Sequence, residues 1–405
     1  MPPTSPFETL RSDFPFFEEN DAGPDVVYLD NAATTLKPTV VLDAMNDFYR
    51  RVSANVHRAT YAHSEVASEA YEDARETMGR FLGLASSEIV FTAGCTAAIN
   101  LVAAGLTIPP EKAVAISHVE HHANVLPWMS RRRVVWFDPA RCDANALGEL
   151  IRRENVGLLA VSACSNVSGV VLPVAEYAAA AHSLGIPVLV DVAQYVPHYG
   201  GDLLSLGGDF FSLSGHKMLG PFGVGVLAGR HEWLERLAPP WLGGGIVTEV
   251  GLTSYALRSV PLRFEAGTPP IAEVIGLARA AEYLLRLGWP NVVAHEEQLR
   301  ERLVARMARI PGVSILQADW TGPRSAVTTL VFERTGTRWE EIVARILYDR
   351  FKICVRAGHF CAHPYFVTNG YPGGIRIAPY FYNTLAEIDR LADALEEVAR
   401  TLTGK

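Results

Sequence analysis

The stretch from residue 158 to residue 191 carries the pattern strand, helix, strand. It begins with the apolar run LLAVSA (158–163), continues with VAEYAAAAHSL (174–184) and ends with PVLVD (187–191). The two outer runs are short and almost continuously apolar, which is typical of strands buried on both faces of a sheet. The middle run has helical length and is followed by Gly185, a residue favoured directly after a helix C-terminus. This order predicts a layered α/β domain with a mostly parallel sheet.

The same alternation extends from about residue 26 to residue 229. Further strands are predicted at 27–30, 89–92, 113–117, 134–137, 210–213 and 224–228, and further helices at 68–82, 96–104 and 144–153. Between residues 238 and 271, Pro and Gly are frequent, which predicts loops. The pattern then changes to long helices and fewer strands: helices at 271–287, 292–309, 339–350 and 385–402, and strands at 326–332, 353–356 and 374–377. We therefore predict a large α/β domain over residues 22–269 and a small α+β domain formed by residues 1–21 and 270–405.

Composition excludes several classes of protein. The 405 residues are 49% apolar and 20% charged, so a large core can form. A net charge of −8 argues against binding nucleic acid, and no apolar stretch reaches the length of about 18 residues that a membrane span needs. Five cysteines, an odd and sparse number, together with the absence of a signal-peptide pattern, favour a cytoplasmic protein.

Polar residues follow several of the predicted strands, at the edge where a parallel sheet binds its ligands. One strand ends at Asp191 and another runs into Ser214, His216 and Lys217. A third ends in TAGCT (92–96) and leads directly into a helix, so that free backbone N–H groups and a hydroxyl could bind a phosphate there. The sequence thus places a phosphate site, an acid and a lysine at converging strand ends.

Lys217 is unusual because only five of the 36 basic residues are lysines. An amine can form a Schiff base with an aldehyde once its pKa is lowered, whereas a guanidinium cannot. Asp191 could pair with a protonated pyridine nitrogen, which is the arrangement expected for pyridoxal 5′-phosphate (PLP). The alternative, on spacing alone, is a loop lysine beside an aspartate that caps the end of a strand.

Five motifs, in order along the chain, carry a family resemblance. They are YLDNAA (28–33), EHHAN (120–124), DVAQ (191–194), SGHK (214–217) and RFEAGT (263–268). With them the chain resembles the class V aminotransferase superfamily from about residue 13 to residue 402, and within it most resembles the group II cysteine desulfurases. The resemblance implies a PLP-dependent transferase of fold type I with a large and a small domain, usually a homodimer.

The resemblance also implies roles for individual residues around the cofactor. Lys217 would form the Schiff base and move the α-proton of the substrate, and Asp191 would pair with the pyridine nitrogen. Gln194 would hydrogen-bond the ring oxygen, and His121 would stack on the ring as a further catalytic residue. The phosphate would be bound by Cys95, Thr96, Ser214, His216 and, reaching from the partner subunit, Thr268.

The segment RAGHFCA (356–362) points to the reaction. In the desulfurases, a cysteine at this position attacks the sulfur of the substrate and becomes a persulfide, and Cys361 occupies that position. Arg356 could favour its thiolate by charge, and Asn166, Arg356 and Arg376 are the residues expected to bind the substrate. His359 and His363 flank the cysteine, but no second ligand cluster accompanies them in the sequence, so we predict no metal site.

Some positions depart from the desulfurase pattern. Phe360 stands where these enzymes commonly carry His, Cys95 where they carry Thr, and the bulky run IAPYF (377–381) where they carry small residues. These changes leave open a second enzyme function: a PLP-dependent C–S lyase, or a decarboxylating, deaminating or epimerising enzyme of specialised metabolism, acting on a larger amino acid such as an S-substituted cysteine. A sulfur-carrier scaffold is a third hypothesis, which the presence of Lys217 and Asp191 disfavours.

The sequence therefore predicts a cytoplasmic, homodimeric, PLP-dependent cysteine desulfurase. It would remove sulfur from L-cysteine or a cysteine derivative through a persulfide on Cys361 and release alanine. Its partners would be the amino-acid substrate, a second copy of the chain and a sulfur-acceptor protein.

Overall fold

The structure is a computed structural model that describes residues 7–57, 60–332 and 338–403. It divides into two compact units. The larger unit comprises Thr39–Ala163 and Pro173–Arg286, and the smaller unit comprises Met1–Pro38, Cys164–Leu172 and Leu287–Lys405. The predicted domains at 22–269 and at 1–21 with 270–405 remain a prediction, and parts of the predicted small domain (1–6, 333–337 and 404–405) lie outside the described residues.

The strands of the described residues are labelled in chain order. They are β1 (Val27–Tyr28), β2 (Ile89–Thr92), β3 (Ala113–Ser117), β4 (Val134–Phe137), β5 (Val156–Ser162), β6 (Val188–Asp191), β7 (Phe210–Ser214), β8 (Gly225–Gly229), β9 (Val247–Val250), β10 (Tyr255–Leu257), β11 (Val313–Ile315), β12 (Thr328–Phe332), β13 (Ile353–Cys354), β14 (Arg356–Gly358) and β15 (Gly374–Ile377).

The helices are labelled in the same way. They are α1 (Phe16–Glu19), α2 (Thr39–Asp47), α3 (Ala62–Leu82), α4 (Cys95–Gly105), α5 (Leu126–Met129), α6 (Ala144–Arg153), α7 (Val174–His182), α8 (Val196–Tyr199), α9 (His231–Leu234), α10 (Ile271–Leu287), α11 (Trp289–Met307), α12 (Trp339–Phe351), α13 (His363–Thr368) and α14 (Leu385–Thr403). Within the described residues, no helix is both long and apolar enough to cross a lipid bilayer.

The larger unit is built on a seven-stranded sheet in the order β2-β8-β7-β6-β5-β3-β4. The neighbours from β7 to β4 are parallel, and β8 alone runs antiparallel to both strands beside it. Every residue of β5, β6 and β7 is buried, as their continuous apolar runs predict. This sheet confirms the predicted α/β fold with a mostly parallel sheet.

The smaller unit contains a four-stranded antiparallel sheet in the order β11-β12-β15-β14. Its core is apolar and includes side chains of helices α11, α12 and α14, such as Leu299, Leu347 and Leu391. Strand β1, the first of the predicted runs, also belongs to this unit, where it pairs in parallel with β13. An apolar run predicts a strand, but it does not determine which sheet the strand joins.

The sequence prediction of loops between residues 238 and 271 is wrong for part of that segment. Strands β9 and β10 form an antiparallel hairpin there. Most of their side chains face solvent, including Val250 and Tyr255. The hairpin therefore has neither the buried run nor the clean alternation from which strands are predicted.

Candidate active site

In the larger unit, Asp191 and Lys217 lie at the C-terminal ends of neighbouring parallel strands. Asp191 is the last residue of β6, and Lys217 ends the short 3-10 turn that continues β7. The Asp191 carboxylate is buried and accepts a hydrogen bond from the Ala193 N–H at 2.9 Å. Burial raises the pKa of Asp191, while this hydrogen bond and the positive charge of Lys217 lower it. The predicted acid and amine therefore lie within electrostatic reach of each other.

The start of helix α4 forms a polar cradle beside this pair. The Cys95 N–H donates to the Ser214 Oγ at 2.9 Å, and the Cys95 Sγ lies 3.4 Å from the Ser212 Oγ. Gly94 precedes the helix with a φ of 144°, and a Cβ built on Gly225 would lie 2.5 Å from the Gly94 Cα. Two glycines are thus required for the strands and the helix to approach this closely.

The cysteine at the start of α4 is a buried thiol. Burial raises the pKa of Cys95 well above its usual value, and the carboxylate of Asp191 raises it further. Cys95 therefore contributes its backbone N–H and a neutral thiol to the cradle. The exposed Thr96, one residue further into the helix, supplies the hydroxyl that the sequence predicted for a phosphate.

His121 is fixed in a short turn that follows β3. Its Nδ1 accepts a hydrogen bond from the Ala123 N–H at 3.0 Å, which caps the 3-10 turn His122–Asn124. The ring of His121 and the side chain of Thr96 line one open cavity of about 470 Å³. The structure therefore brings together the residue predicted to stack on the ring and a residue predicted to bind the phosphate.

The other predicted cofactor residues lie at different places in the larger unit. Gln194 is buried in the loop after β6, and the His216 ring stacks on Phe222 with 5.5 Å between centroids. Thr268 is exposed and lines a separate pocket of about 250 Å³, where its Oγ1 accepts a hydrogen bond from the Asn55 Nδ2 at 3.4 Å.

In the smaller unit, Arg376 lies on β15 with only 3% of its surface exposed. Its Nη1 donates to the carbonyl oxygen of Asn166 at 3.0 Å, and its Nη2 donates to the Asp30 Oδ1 at 3.3 Å. Its buried Nε has no hydrogen-bond partner among the residues that the structure describes. Burial lowers the pKa of Arg376 to about 10, although the Asp30 carboxylate opposes this. A buried cation with a free N–H is suited to bind a carboxylate.

Asp30 is a site residue that the sequence reasoning did not single out. It accepts hydrogen bonds from the Arg356 Nε at 3.1 Å and the Arg356 Nη2 at 2.8 Å, besides the contact with Arg376. Its place in the YLDNAA motif was the available signal, but the motif does not reveal that the carboxylate lies against two arginines. The predicted substrate residue Arg356 is therefore held by an ion pair, and half of its side chain is exposed.

Cys361 lies on the loop between β14 and α13 of the smaller unit, and it is exposed. Phe360 and Cys361 both adopt left-handed backbone conformations, with φ of 52° and 57°. The Phe360 carbonyl accepts a hydrogen bond from the Asn166 Nδ2 at 2.8 Å, and its ring lies 5.1 Å from the Arg376 guanidinium carbon. The negative charge of a Cys361 thiolate raises the pKa of Arg376, so the two groups are within electrostatic reach.

Two histidines flank this cysteine. The rings of His359 and His363 stack on each other with 4.3 Å between their centroids. Within the described ranges, no group of three or more His, Cys, Asp or Glu side chains is arranged to hold a metal ion.

The residues at the ends of β6 and β7 fit PLP by their chemistry. A buried carboxylate suits a protonated pyridine nitrogen, an amine suits the aldehyde, and a helix N-terminus with a hydroxyl suits a phosphate. That N-terminus is the first turn of α4, which begins at Cys95 directly after Gly94.

Comparison with known proteins agrees with this geometry. The sequence matches the family described as aminotransferase class-V over residues 27–391. The chain belongs to the aminotransferase class-V family. The predicted family resemblance is therefore confirmed, and the predicted cofactor, PLP, is confirmed with it.

Individual members of the class-V family match over nearly their whole length. A Streptomyces coelicolor protein named "Probable cysteine desulfurase" is 38% identical and aligns over 96% of each chain. The apo structure of a cysteine desulfurase from Thermococcus onnurineus superposes with a TM-score of 0.89 at 32% identity, covering 98% of this chain and 99% of the other. The Escherichia coli cysteine desulfurase CsdA gives 0.88 at 32% identity, covering 99% and 100%. These matches confirm the predicted fold type.

Proposed function

We propose that this class-V protein is a PLP-dependent cysteine desulfurase, which takes the sulfur atom from L-cysteine and releases alanine. The observation that carries the proposal lies in the smaller unit. Arg376, a buried arginine whose Nε has no hydrogen-bond partner among the described residues, lies against the ring of Phe360, the residue next to the exposed thiol of Cys361. Cysteine is a small molecule that bears a carboxylate, which Arg376 could bind, and a sulfur atom, which the Cys361 thiol could attack. The relatives named cysteine desulfurase support the same substrate.

Residues of the larger unit would hold the cofactor. PLP, when bound, acts as an electron sink for the substrate's α-carbon. Lys217 would attach to its aldehyde and would then move the α-proton of the substrate. Asp191 would pair with the pyridine nitrogen, Gln194 with the ring oxygen, and His121 with the ring face. The phosphate would be bound by Cys95, Thr96, Ser214 and His216.

Residues of the smaller unit would bind cysteine and take its sulfur. Arg376 would bind the substrate carboxylate through its Nε, aided by the Asn166 amide and by Arg356. The Cys361 thiolate would form an S–S bond with the substrate sulfur as the Cβ–S bond breaks. The β-carbon would then gain a proton, Lys217 would return a proton to the α-carbon, and alanine would leave, while Cys361 would keep the sulfur as a persulfide. Turnover would require an acceptor thiol, for which a sulfur-acceptor protein is the natural partner. The cytoplasmic location stays a prediction.

The second candidate function, a C–S lyase acting on a larger amino acid, rests on Phe360 and the bulky run at 377–381. None of the comparisons favours it. Two solved structures are each 20% identical to this chain, and one of them is described as a cystine C–S lyase. A likeness at that level concerns the fold alone.

The products formed by purified protein from L-cysteine distinguish the two functions. We expect alanine and sulfide in equal amounts in the presence of a thiol reductant, which would release the persulfide sulfur. Pyruvate and ammonia in place of alanine would contradict the desulfurase and support the lyase. S-methylcysteine serves as a matched substrate, because its sulfur is blocked for transfer to a thiol but not for elimination.

We also propose that the protein acts as a homodimer in which Thr268 completes the phosphate site of the partner subunit. Thr268 lines a pocket separate from the one that holds Thr96 and His121, and it is exposed. Large apolar side chains near it in sequence are also exposed, with 54% of Trp241 and 68% of Val250 accessible. These side chains are available to pack against a second copy of the chain.

Light scattering tests the assembly directly. We expect a dimer, and we expect Thr268→Ala to weaken cofactor binding without changing the dimer, because one hydroxyl contributes little to an interface. A monomer that binds PLP tightly would contradict the proposed role of Thr268.

A further inference from the structure

Glu120 is a completely buried carboxylate in the larger unit, and the proposed reaction does not use it. It directly precedes His121. Four donors surround it: the Ser117 Oγ at 2.5 Å, the Ser162 N–H at 2.9 Å, the Ser162 Oγ at 2.5 Å and the Asn124 Nδ2 at 2.8 Å. Burial raises the pKa of Glu120 to about 7, and these hydrogen bonds oppose the rise.

The donors come from three different elements. Ser117 ends β3, Ser162 ends β5, and Asn124 lies in the 3-10 turn that His121 caps. Asn124 is itself held, since its Oδ1 accepts a hydrogen bond from the Trp128 Nε1 at 3.1 Å. The carboxylate of Glu120 therefore links the turn that carries His121 to the ends of two strands of the sheet.

One of these strands borders the acid of the cofactor site. Ser162 is the register partner of Asp191 in the parallel pair β5–β6. The next residue, Ala163, donates its N–H to the Asp191 carbonyl at 2.9 Å. A path of short contacts thus runs from the His121 turn through Glu120 and Ser162 to the backbone of Asp191.

We propose that Glu120 is a positioning residue of the cofactor site. It holds the turn of His121 in fixed register with the strand beside Asp191, and so determines where these two side chains meet the PLP ring. The proposal rests on the proposed roles of His121 and Asp191, but not on the desulfurase step. Its readouts are therefore the affinity for PLP and the absorption spectrum of the bound cofactor, as well as turnover.

Glu120→Gln is the informative substitution because it keeps the size of the side chain. With its oxygen at the Oε1 position, the glutamine can still accept from Ser117 and from the Ser162 N–H. Its amide nitrogen then faces the Ser162 hydroxyl, which can turn to accept, and the Asn124 amide, which is also a donor. Asn124 cannot flip to relieve the clash, since its oxygen is bound to Trp128. We expect about tenfold weaker PLP binding, the size of effect of one unsatisfied buried hydrogen bond, and a shifted absorption maximum.

Asp209→Asn is the matched control. Asp209 is another buried carboxylate beside the same sheet, and it accepts hydrogen bonds from the Val188 N–H at 2.8 Å and from His182 at 2.9 Å. It precedes β7, whereas Lys217 follows that strand, so it lies at the opposite end from the cofactor residues. The control should lower the melting temperature and leave the PLP affinity and spectrum unchanged.

The double variant Glu120→Gln/Asn124→Asp separates positioning from a general loss of stability. The carboxylate that Asn124→Asp introduces would accept from both the glutamine amide and Trp128, which reverses one hydrogen bond and removes the clash. We expect PLP affinity within about twofold of wild type and a restored spectrum. If Glu120→Gln does not fold, Ser117→Ala removes one donor and should give a smaller shift in the same direction.

Wild-type affinity and absorption in folded Glu120→Gln would overturn the proposal, as would weakened binding that Asn124→Asp does not restore. Failure of the underlying roles has a different signature. His121→Ala or Asp191→Asn would then leave the cofactor spectrum unchanged, whatever Glu120→Gln does.

Discussion

The residues expected to hold the cofactor and those expected to take the sulfur are supported by different kinds of structure. Asp191 and Lys217 follow buried parallel strands, whose position is fixed by the sheet on both sides. Cys361 is an exposed residue on a loop with two successive left-handed residues, and the two arginines of this region, Arg356 and Arg376, both contact Asp30. In the proposed mechanism, the chemistry shared by the whole family is built into the sheet, whereas the choice of reaction depends on a short loop and a few ion pairs.

The largest effect should come from the strand-end lysine. Lys217→Ala should abolish turnover, because the proposed reaction relies on this amine both to attach to the aldehyde and to move the α-proton. PLP should still bind, through the phosphate cradle at the start of α4. Borohydride reduction of wild type, followed by peptide mass analysis, should place the cofactor on the peptide that contains Lys217. A label on another lysine would contradict the proposal that Lys217, at the end of a buried strand, attaches to the cofactor.

A smaller effect is expected from the buried arginine of the smaller unit. Arg376→Lys keeps a positive charge but has no counterpart of the buried Nε–H that would bind the substrate carboxylate. We expect the KM for L-cysteine to rise by about 10- to 100-fold, with PLP affinity unchanged, since this residue would bind substrate and not cofactor.

Arg356→Lys is the matched control for that change, because Arg356 shares Asp30 but is half exposed. Its effect on KM should be several times smaller. Equal effects of the two substitutions would show that the Nε of Arg376 is not the group that binds the substrate.

The smallest effect on turnover should come from Lys37, a lysine of the smaller unit. Burial lowers the pKa of Lys37 to about 7, and its Nζ donates to the Thr34 Oγ1 at 3.0 Å and the Thr35 carbonyl at 2.5 Å. Below pH 7 the amine is charged in the folded and the unfolded chain, so the full cost of burying the charge is present. Between pH 7 and about 10.5 only the unfolded chain holds the proton, so this cost disappears and stability rises with pH.

Denaturant unfolding of wild type and Lys37→Met over this pH range measures that difference. The stability of wild type relative to the variant should increase by up to about 1.4 kcal/mol per pH unit, while turnover at pH 8 stays close to wild type. Parallel stability curves would contradict the buried amine.

Much of the fold follows from local sequence patterns. The predicted bounds of α6, α10 and β15 agree with the structure, since each is a periodic or apolar run with clear ends. Helix α3 begins at Ala62, six residues before the predicted start, because its first turns are polar. The β9–β10 hairpin was missed because its side chains face solvent on both sides.

The candidate site residues differ in how clearly the sequence indicates them. Lys217 and Asp191 stand out by residue type at strand ends. Asp30 and Glu120 belong to recognised motifs, yet their partners lie far away in the sequence: Asp30 contacts Arg376, 346 residues later, and Glu120 contacts Ser162, 42 residues later. Contacts at such separation depend on how the elements within one unit pack together, and no local sequence pattern encodes them.

The thiol of Cys361 is the centre of the account, and Cys361→Ser tests it most directly. Serine keeps the size of the side chain, but its oxygen does not hold sulfane sulfur. Wild type and variant are each mixed with L-cysteine without reductant, and the peptide that contains residue 361 is analysed by mass. We expect one added sulfur atom on Cys361 in wild type, and in the variant an unchanged cofactor spectrum, spectral changes with L-cysteine and no alanine. Alanine production by Cys361→Ser at the wild-type rate, or pyruvate and ammonia from both proteins, would contradict the persulfide mechanism.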